Sequence, residues 1–289
     1  MKKIVKDILR FIRDGFNFLI FLMQVLLQGA YKNKIENKFD GTVAVLANGP
    51  SLKEELPKLN NHREFENVDF IVLNFFAFEE TFFKIKPKHY CLADPMFFQD
   101  SHRKEDVQKL FMILEEHIDW NLSIYVPSSL LQNFLEYSKL KNKRLTIIKI
   151  NQLGYRGFER FRHFFYRSGL AIPRIQTVAN LAIFIALNSG YTKVKLYGVD
   201  HTFFENLQVN NENQLCSVER HFYDNGISTL KPLVRNDNDD YWKISGYLEA
   251  LMHMFKSHDQ LNEYGKHLKV SILNCTSSSM IDSYEREIK

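Results

Sequence analysis

The chain has 289 residues, 45% hydrophobic and 25% charged, with 25 Phe and 13 Tyr, which is long enough for a full core and excludes a disordered chain. A formal net charge of +4 is too small to mark a nucleic-acid binder. Cys91, Cys216 and Cys275 are scattered, with no CxxC and no metal-ligand spacing, which excludes a disulfide framework and a zinc site and fits a reducing cytoplasm.

The first element is an apolar stretch, "GFNFLIFLMQVLLQG" at 15–29, preceded by Lys2, Lys3, Lys6, Arg10 and Arg13. Asn17, Gln24 and Gln28 interrupt it, so it falls short of the roughly 20 apolar residues a spanning helix needs. No small-x-small cleavage site follows, and export is not expected. Basic turns beside a Phe/Leu-rich face predict an amphipathic helix lying on the anionic inner leaflet of the plasma membrane. Packing of the same stripe on the domain or on a second subunit is the alternative. This unit and its linker take up 1–40, and a single domain is expected over 41–289.

From residue 42 onward, short apolar runs alternate with helical patterns. The strand candidates are "TVAVLA", "DFIVLN", "HYCLAD", "LSIYVP", "LTIIKI", "KVKLYGV" and "KVSILN", and the helix candidates include 104–118, 128–140, 176–189 and 241–258. That alternation predicts an α/β fold, one Rossmann-like domain whose mostly parallel sheet is covered on both faces. Residues 151–175 and 201–240 lack periodicity and are expected as lids or insertions over the site. The "NDNDD" run at 236–240 reads as a turn, while leaving Mg²⁺ admissible.

Ligands of open α/β sheets bind at the carboxyl ends of the strands. After the first strand comes Asn48-Gly49-Pro50-Ser51-Leu52: Gly49 permits close backbone approach, Pro50 fixes φ, and Ser51 is placed to cap a helix whose amides favour phosphate. Neither a GxxxxGK[ST] nor a GxGxxG pattern is present, which disfavours ATP and NAD. Asn74 and Asp94 end the second and third strands. "PRIQTVAN" opens a further helix with Arg174 and Thr177 able to meet an anion. Gly198, Asp200 and His201 end the strand "KVKLYGV", and His221 with Tyr223 follow in the insertion. A histidine there can take a proton from an acceptor hydroxyl or protonate a leaving group.

The motifs "VAVLANGPSL", "LNFF", "KPKHYCLADPMFF", "TVANLAIFIALNSGY" and "KVKLYGVDHTFF", in this order over roughly 42–205, resemble the bacterial sialyltransferases of glycosyltransferase family 42 and the related MptE-like group of glycosyltransferases and pterin diphosphokinases. The resemblance implies that Asn48, Gly49, Ser51 and Asn74 contact the nucleotide of a CMP-linked sugar and that the helix start at Thr177 faces that donor. It also implies a single Rossmann-like domain, chemistry without a required metal, a histidine general base and work at the inner membrane face. After "NDN", where those sialyltransferases carry a catalytic His, this chain has Asp239, Asp240, Tyr241, Trp242, Lys243 and Ile244, which leaves His201 or His221 as the base.

The expectation is therefore a cytoplasmic, membrane-peripheral glycosyltransferase moving a sugar, such as sialic acid, from a nucleotide donor to a glycan or lipid-linked acceptor. Arg174 or a tyrosine would meet the departing phosphate. Homo-oligomerisation is left open. The alternatives are a diphosphokinase with ATP and Mg²⁺ on Asp94 and Asp200, and a catalytically inactive polysaccharide-assembly protein.

Overall fold

The computed structural model describes residues 2–30, 33–61, 65–205, 207–217, 230–236 and 240–287. The helices are α1 (Lys2–Leu27), α2 (Leu52–Asn61), α3 (Glu80–Ile85), α4 (Lys104–Glu116), α5 (Leu131–Ser138), α6 (Arg162–Arg167), α7 (Val178–Ser189) and α8 (Ile244–Leu268). The strands are β1 (Thr42–Leu46), β2 (Val68–Leu73), β3 (His89–Cys91), β4 (Leu122–Pro127), β5 (Leu145–Ile150), β6 (Lys193–Tyr197), β7 (Gln208–Val209), β8 (Leu215–Ser217), β9 (Lys231–Pro232), β10 (Val234–Asn236), β11 (Asp240–Tyr241), β12 (Ser271–Asn274) and β13 (Glu285–Arg286).

One 8-stranded sheet runs in the order β13-β12-β6-β1-β2-β3-β4-β5, every neighbouring pair parallel. All the strand candidates of the sequence lie in it. β13 was not anticipated, because two exposed charged residues at a sheet edge carry no apolar signal. Successive side chains of a strand point to opposite faces, and both faces are dry. Val43 and Val45 join a core with α1, α6, α7 and α8, whereas Ala44 and Leu46 join a second core with α2, α4 and α5. The fold is a doubly wound, Rossmann-like α/β sheet.

Helix α7 is buried from Ala179 to Ser189, which explains why it is apolar on every side. Helix α8 continues to Leu268, beyond the predicted end at 258.

The segment 151–175 is not a lid. No residue of it before α7's approach lines the cleft described below; it is the seat of α1. The Phe21 ring meets Tyr155 and Phe165 at centroid distances of 5.0 and 4.8 Å, and Phe18 packs on Phe158, Phe161 and Phe165. The aromatics that broke the sequence rhythm need an apolar cover, and α1 supplies it. Asn151 ties the same region together, donating to the carbonyl of Ala30 at 2.9 Å and accepting from Asn33 at 2.6 Å. Only one stripe of α1 is so used. Ile4, Ile8, Phe11, Ile12, Phe16 and Leu19 are each more than 50% exposed. Among the described residues no helix is long and apolar enough to cross a membrane.

Because Phe21 is 1% exposed and holds α1 to the domain, Phe21→Ala should lower the unfolding free energy by about 3–5 kcal/mol. Urea unfolding followed by tryptophan fluorescence measures this. A loss below about 1 kcal/mol would mean that α1 is not part of the cooperative core.

Candidate active site

Going outward from β1, one arm of the sheet runs β2-β3-β4-β5 and the other runs β6-β12-β13. The strand order reverses between β1 and β6, which run parallel, and the loops leaving these adjacent strands part there to leave a crevice. A cleft of about 450 Å³ occupies that position, lined by Ala47–Ser51 after β1, Leu73 and Asn74 at the end of β2, Thr177–Ala179 at the start of α7, Gly198 and Asp200–Phe203 after β6, and Ser277 and Ser278 after β12. The structure brings together Asn48, Gly49, Pro50, Ser51, Asn74, Thr177, Gly198, Asp200 and His201 from the expected site.

The first βα turn differs from the expectation in what it binds. Gly49 N–H donates to Gly198 O at 2.8 Å, Ser51 N–H to Asp200 Oδ1 at 3.2 Å, and Ser51 Oγ to Asp200 Oδ2 at 2.8 Å. Leu52 N–H returns to Gly49 O at 3.1 Å, and Pro50 has no N–H to offer. The anion at the start of α2 is the protein's own carboxylate. Ser51 therefore serves Asp200 in place of a phosphate. Gly49 is required sterically, since a Cβ there would lie 1.9 Å from Asp200 Oδ2. Gly198 has φ +65, a left-handed conformation suited to glycine, and its would-be Cβ lies 2.7 Å from Ala47 O.

Glu55 completes the brace. It is 4% exposed and accepts from Gly198 N at 2.9 Å and Ser277 N at 2.8 Å, tying α2 to the loops after β6 and β12. Burial raises the Asp200 carboxyl to about 6, against the opposing pull of its two bonds from Ser51.

The unsatisfied groups are elsewhere. Asn48 Oδ1 and Nδ2 and Asn74 Oδ1 are shielded from solvent and have no hydrogen-bond partner among the described residues. Each such atom costs about 1–3 kcal/mol unless something bonds it. Asn74 is held by its backbone in a left-handed conformation, φ 48, with its N–H on Cys91 O at 3.2 Å and its carbonyl accepting from the Tyr90 hydroxyl. Its side chain is thus fixed at the cleft while its amide oxygen is left free for a guest.

Helix α7 presents the second helix start. Thr177 Oγ1 accepts from Asn180 N–H at 3.3 Å and donates to Asn180 Oδ1 at 3.0 Å, so its hydroxyl is used in capping. The amides of Val178 and Ala179 have no intrahelical acceptor, as in any first turn, and both residues line the cleft. Among the described residues no lysine or arginine lines it. Negative charge on a ligand would therefore rest on this helix start.

Two expected members lie outside the cleft lining. Arg174 is exposed and places Nη1 2.7 Å from His253 Nε2 on α8; its position ahead of α7 suggested an anion contact, but α8 attracts the side chain instead. Asp94 caps the turn at Pro95–Phe97 by accepting from Met96 N–H at 3.1 Å. Of the two carboxylates offered for Mg²⁺, only Asp200 lines the cleft.

His221 and Tyr223 lie outside the described residues, although Ser217, shortly before them, lines the cleft. His201 is 7% exposed, and burial pushes its imidazole down to about 3. Such a group is neutral near pH 7 and poorly matched to removing a proton there.

Sequence reasoning passed over Ser277 and Ser278, which the rule that ligands gather at strand ends would have found after β12. It also missed Thr202, Phe203, Glu205 and Ser217, which line the cleft from the described part of the segment expected as an insertion.

Compared with known proteins, the chain matches no family model and no curated protein. Among solved structures it is similar to the MAf glycosyltransferase from Magnetospirillum magneticum AMB-1, with 11% identity and a TM-score of 0.47, over 90% of this chain and 37% of that one. The chain thus spans little more than a third of the length of that protein.

The Asp200 carboxyl, ordinarily at 3.8, titrates near 6 in the folded chain. Its stabilising contribution is complete below the unfolded value and is lost as pH rises through the folded one. Measured as the difference between wild type and Asp200→Asn, melting temperature should fall between pH 4 and pH 7. Parallel pH profiles for the two proteins would contradict the assignment.

Proposed function

We propose that the chain is a glycosyltransferase whose cleft between β1 and β6 holds a nucleotide-activated sugar. The observation that carries this reading is the set of partnerless side-chain atoms of Asn48 and Asn74 at the topological switch point. Amide groups that both donate and accept suit a nucleobase or ribose, and a phosphate fits the open amides of α7 beside them. The donor is proposed to be CMP-linked, following the resemblance of the motifs. A departing phosphate held by oriented helix amides needs no metal for its charge, and the proposed chemistry requires none.

The general base is assigned to His221, since burial makes His201 a weak proton acceptor. It would deprotonate a hydroxyl of a glycan or lipid-linked acceptor. The diphosphokinase reading is less favoured, because its proposed carboxylates, Asp94 and Asp200, are each engaged in capping bonds and only Asp200 lines the cleft.

A thermal-shift screen with CMP, CDP, UDP, GDP and ATP, without added magnesium, tests the donor class. CMP is expected to raise the melting temperature most. Asn48→Ala and Asn74→Ala should each weaken its binding tenfold or more, equivalent to about 1.4 kcal/mol. A preference for ATP that requires magnesium would reverse the choice between the two reactions.

We further propose that the exposed stripe of α1 lies on the cytoplasmic face of the membrane. Lys3, Lys6, Arg10 and Arg13 are exposed on the same helix, and apolar burial and attraction to anionic lipid then act together. Sedimentation with phosphatidylglycerol-containing vesicles should exceed that with phosphatidylcholine alone, and Phe11→Ser with Phe16→Ser should abolish the excess. Equal sedimentation with both vesicle types would refute membrane contact by this helix.

A further inference from the structure

His201 sits directly after Asp200 in a left-handed conformation, φ 56, and lines the cleft. There it meets the ring of His258, from α8, at a centroid distance of 5.0 Å, with Phe203 at 5.4 Å on another side. His258 is 0% exposed, and its Nδ1 lies 2.8 Å from the hydroxyl oxygen of Tyr284. The Nε2 atoms of both histidines are sealed from solvent without a partner among the described residues. Two partnerless nitrogens on adjoining buried rings can relieve each other, directly after a small ring rotation or through one water.

Counting protons sets the direction of that link. The Tyr284 hydroxyl is buried, and His258 Nδ1 is its one hydrogen-bond partner among the described residues. Donation to Nδ1 gives the hydroxyl proton the one acceptor it has among the described residues. Burial keeps both imidazoles neutral, so each carries one N–H. With Nδ1 accepting, the proton of His258 is on Nε2, which a small ring rotation or one water would link to His201 Nε2. His201 Nε2 then accepts, and its own proton resides on Nδ1.

We propose that Tyr284 and His258 lock His201 in the Nδ1–H tautomer, so that His201 offers the cleft a hydrogen-bond donor for an anionic oxygen, phosphate or carboxylate, of the bound donor. His258 is in these terms a positioning residue, acting on the ligand only through His201. A donor at this point also supplements a cleft whose described lining has no cationic side chain. The ligand role rests on the reading of the cleft as the donor site, whereas the tautomer is a property of the free protein.

The test uses the full chain labelled with ¹⁵N-histidine, with long-range ¹H–¹⁵N correlation at pH 7 and His201→Gln to assign the His201 signals. The expected spectrum has His201 protonated at Nδ1 and bare at Nε2. Tyr284→Phe, which removes the hydroxyl proton while keeping the ring, should shift His201 toward the Nε2–H form. A wild-type His201 protonated at Nε2, or a Tyr284→Phe variant that stays folded with the tautomer unchanged, would overturn the lock.

CMP affinity is then compared among wild type, His201→Gln and His201→Ala. Retention within about threefold by Gln and loss of tenfold or more by Ala supports the donor role; equal loss in both overturns it. If wild type shows the expected tautomer but binds no nucleotide, the lock stands and the transferase reading falls, so the two failures are distinct.

Discussion

The site is organised around a single carboxylate set on a helix start. Asp200, at the end of β6, reaches the first turn of α2 and takes both the amide and the hydroxyl of Ser51. Oriented donors and the positive end of a helix offset part of the burial penalty on that charge. This contact fixes the separation of β1 and β6 loops at the one place where the sheet reverses. Gly49 is the geometric condition for it, because any side chain there would occupy the space of the Asp200 oxygen. Glu55 repeats the device one turn further on, receiving amides from the loops after β6 and β12. Two buried carboxylates from different elements thus make the mouth of the cleft rigid before any ligand arrives.

That arrangement separates two helix starts that look alike in the sequence. Both α2 and α7 begin with a hydroxyl residue beside the cleft, and either is suited to a phosphate on general grounds. The start of α2 already holds an anion. The start of α7 uses its threonine in a reciprocal cap with Asn180 and leaves its first amides to the cleft. Between the two, Asn48 and Asn74 hold side-chain atoms that have lost water without gaining a partner. A ligand that completed these bonds, as proposed, would recover that free energy.

Much of the architecture was legible in the sequence, because apolar runs such as "TVAVLA" and "LSIYVP" can form strands buried on both faces, and the sheet has few other kinds. The short edge strand Glu285–Arg286 was not legible, since backbone pairing at an edge needs no apolar residue. Strand-end reasoning also located Asn48, Asn74, Gly198, Asp200 and His201. It could not tell that Asp200 would be spent on Ser51, because that pairing joins residues 149 apart in the chain. The contact of Arg174 with His253 was illegible for the same reason, since His253 lies on a helix far along the sequence. The irregular aromatic segment at 151–175 gave a true signal of something to be covered, but the covering element was α1. His258 and Tyr284 were invisible, as nothing in the periodicity of α8 distinguishes a core histidine from one beside the cleft.

The account is tested most directly by a crystal structure of the chain with CMP bound. It predicts the base and ribose within hydrogen-bond distance of the Asn48 and Asn74 side chains, the phosphate on the amides of Val178 and Ala179, and Asp200 still joined to Ser51. A phosphate that displaces Asp200 from the start of α2, or a nucleotide bound outside the cleft, would contradict it.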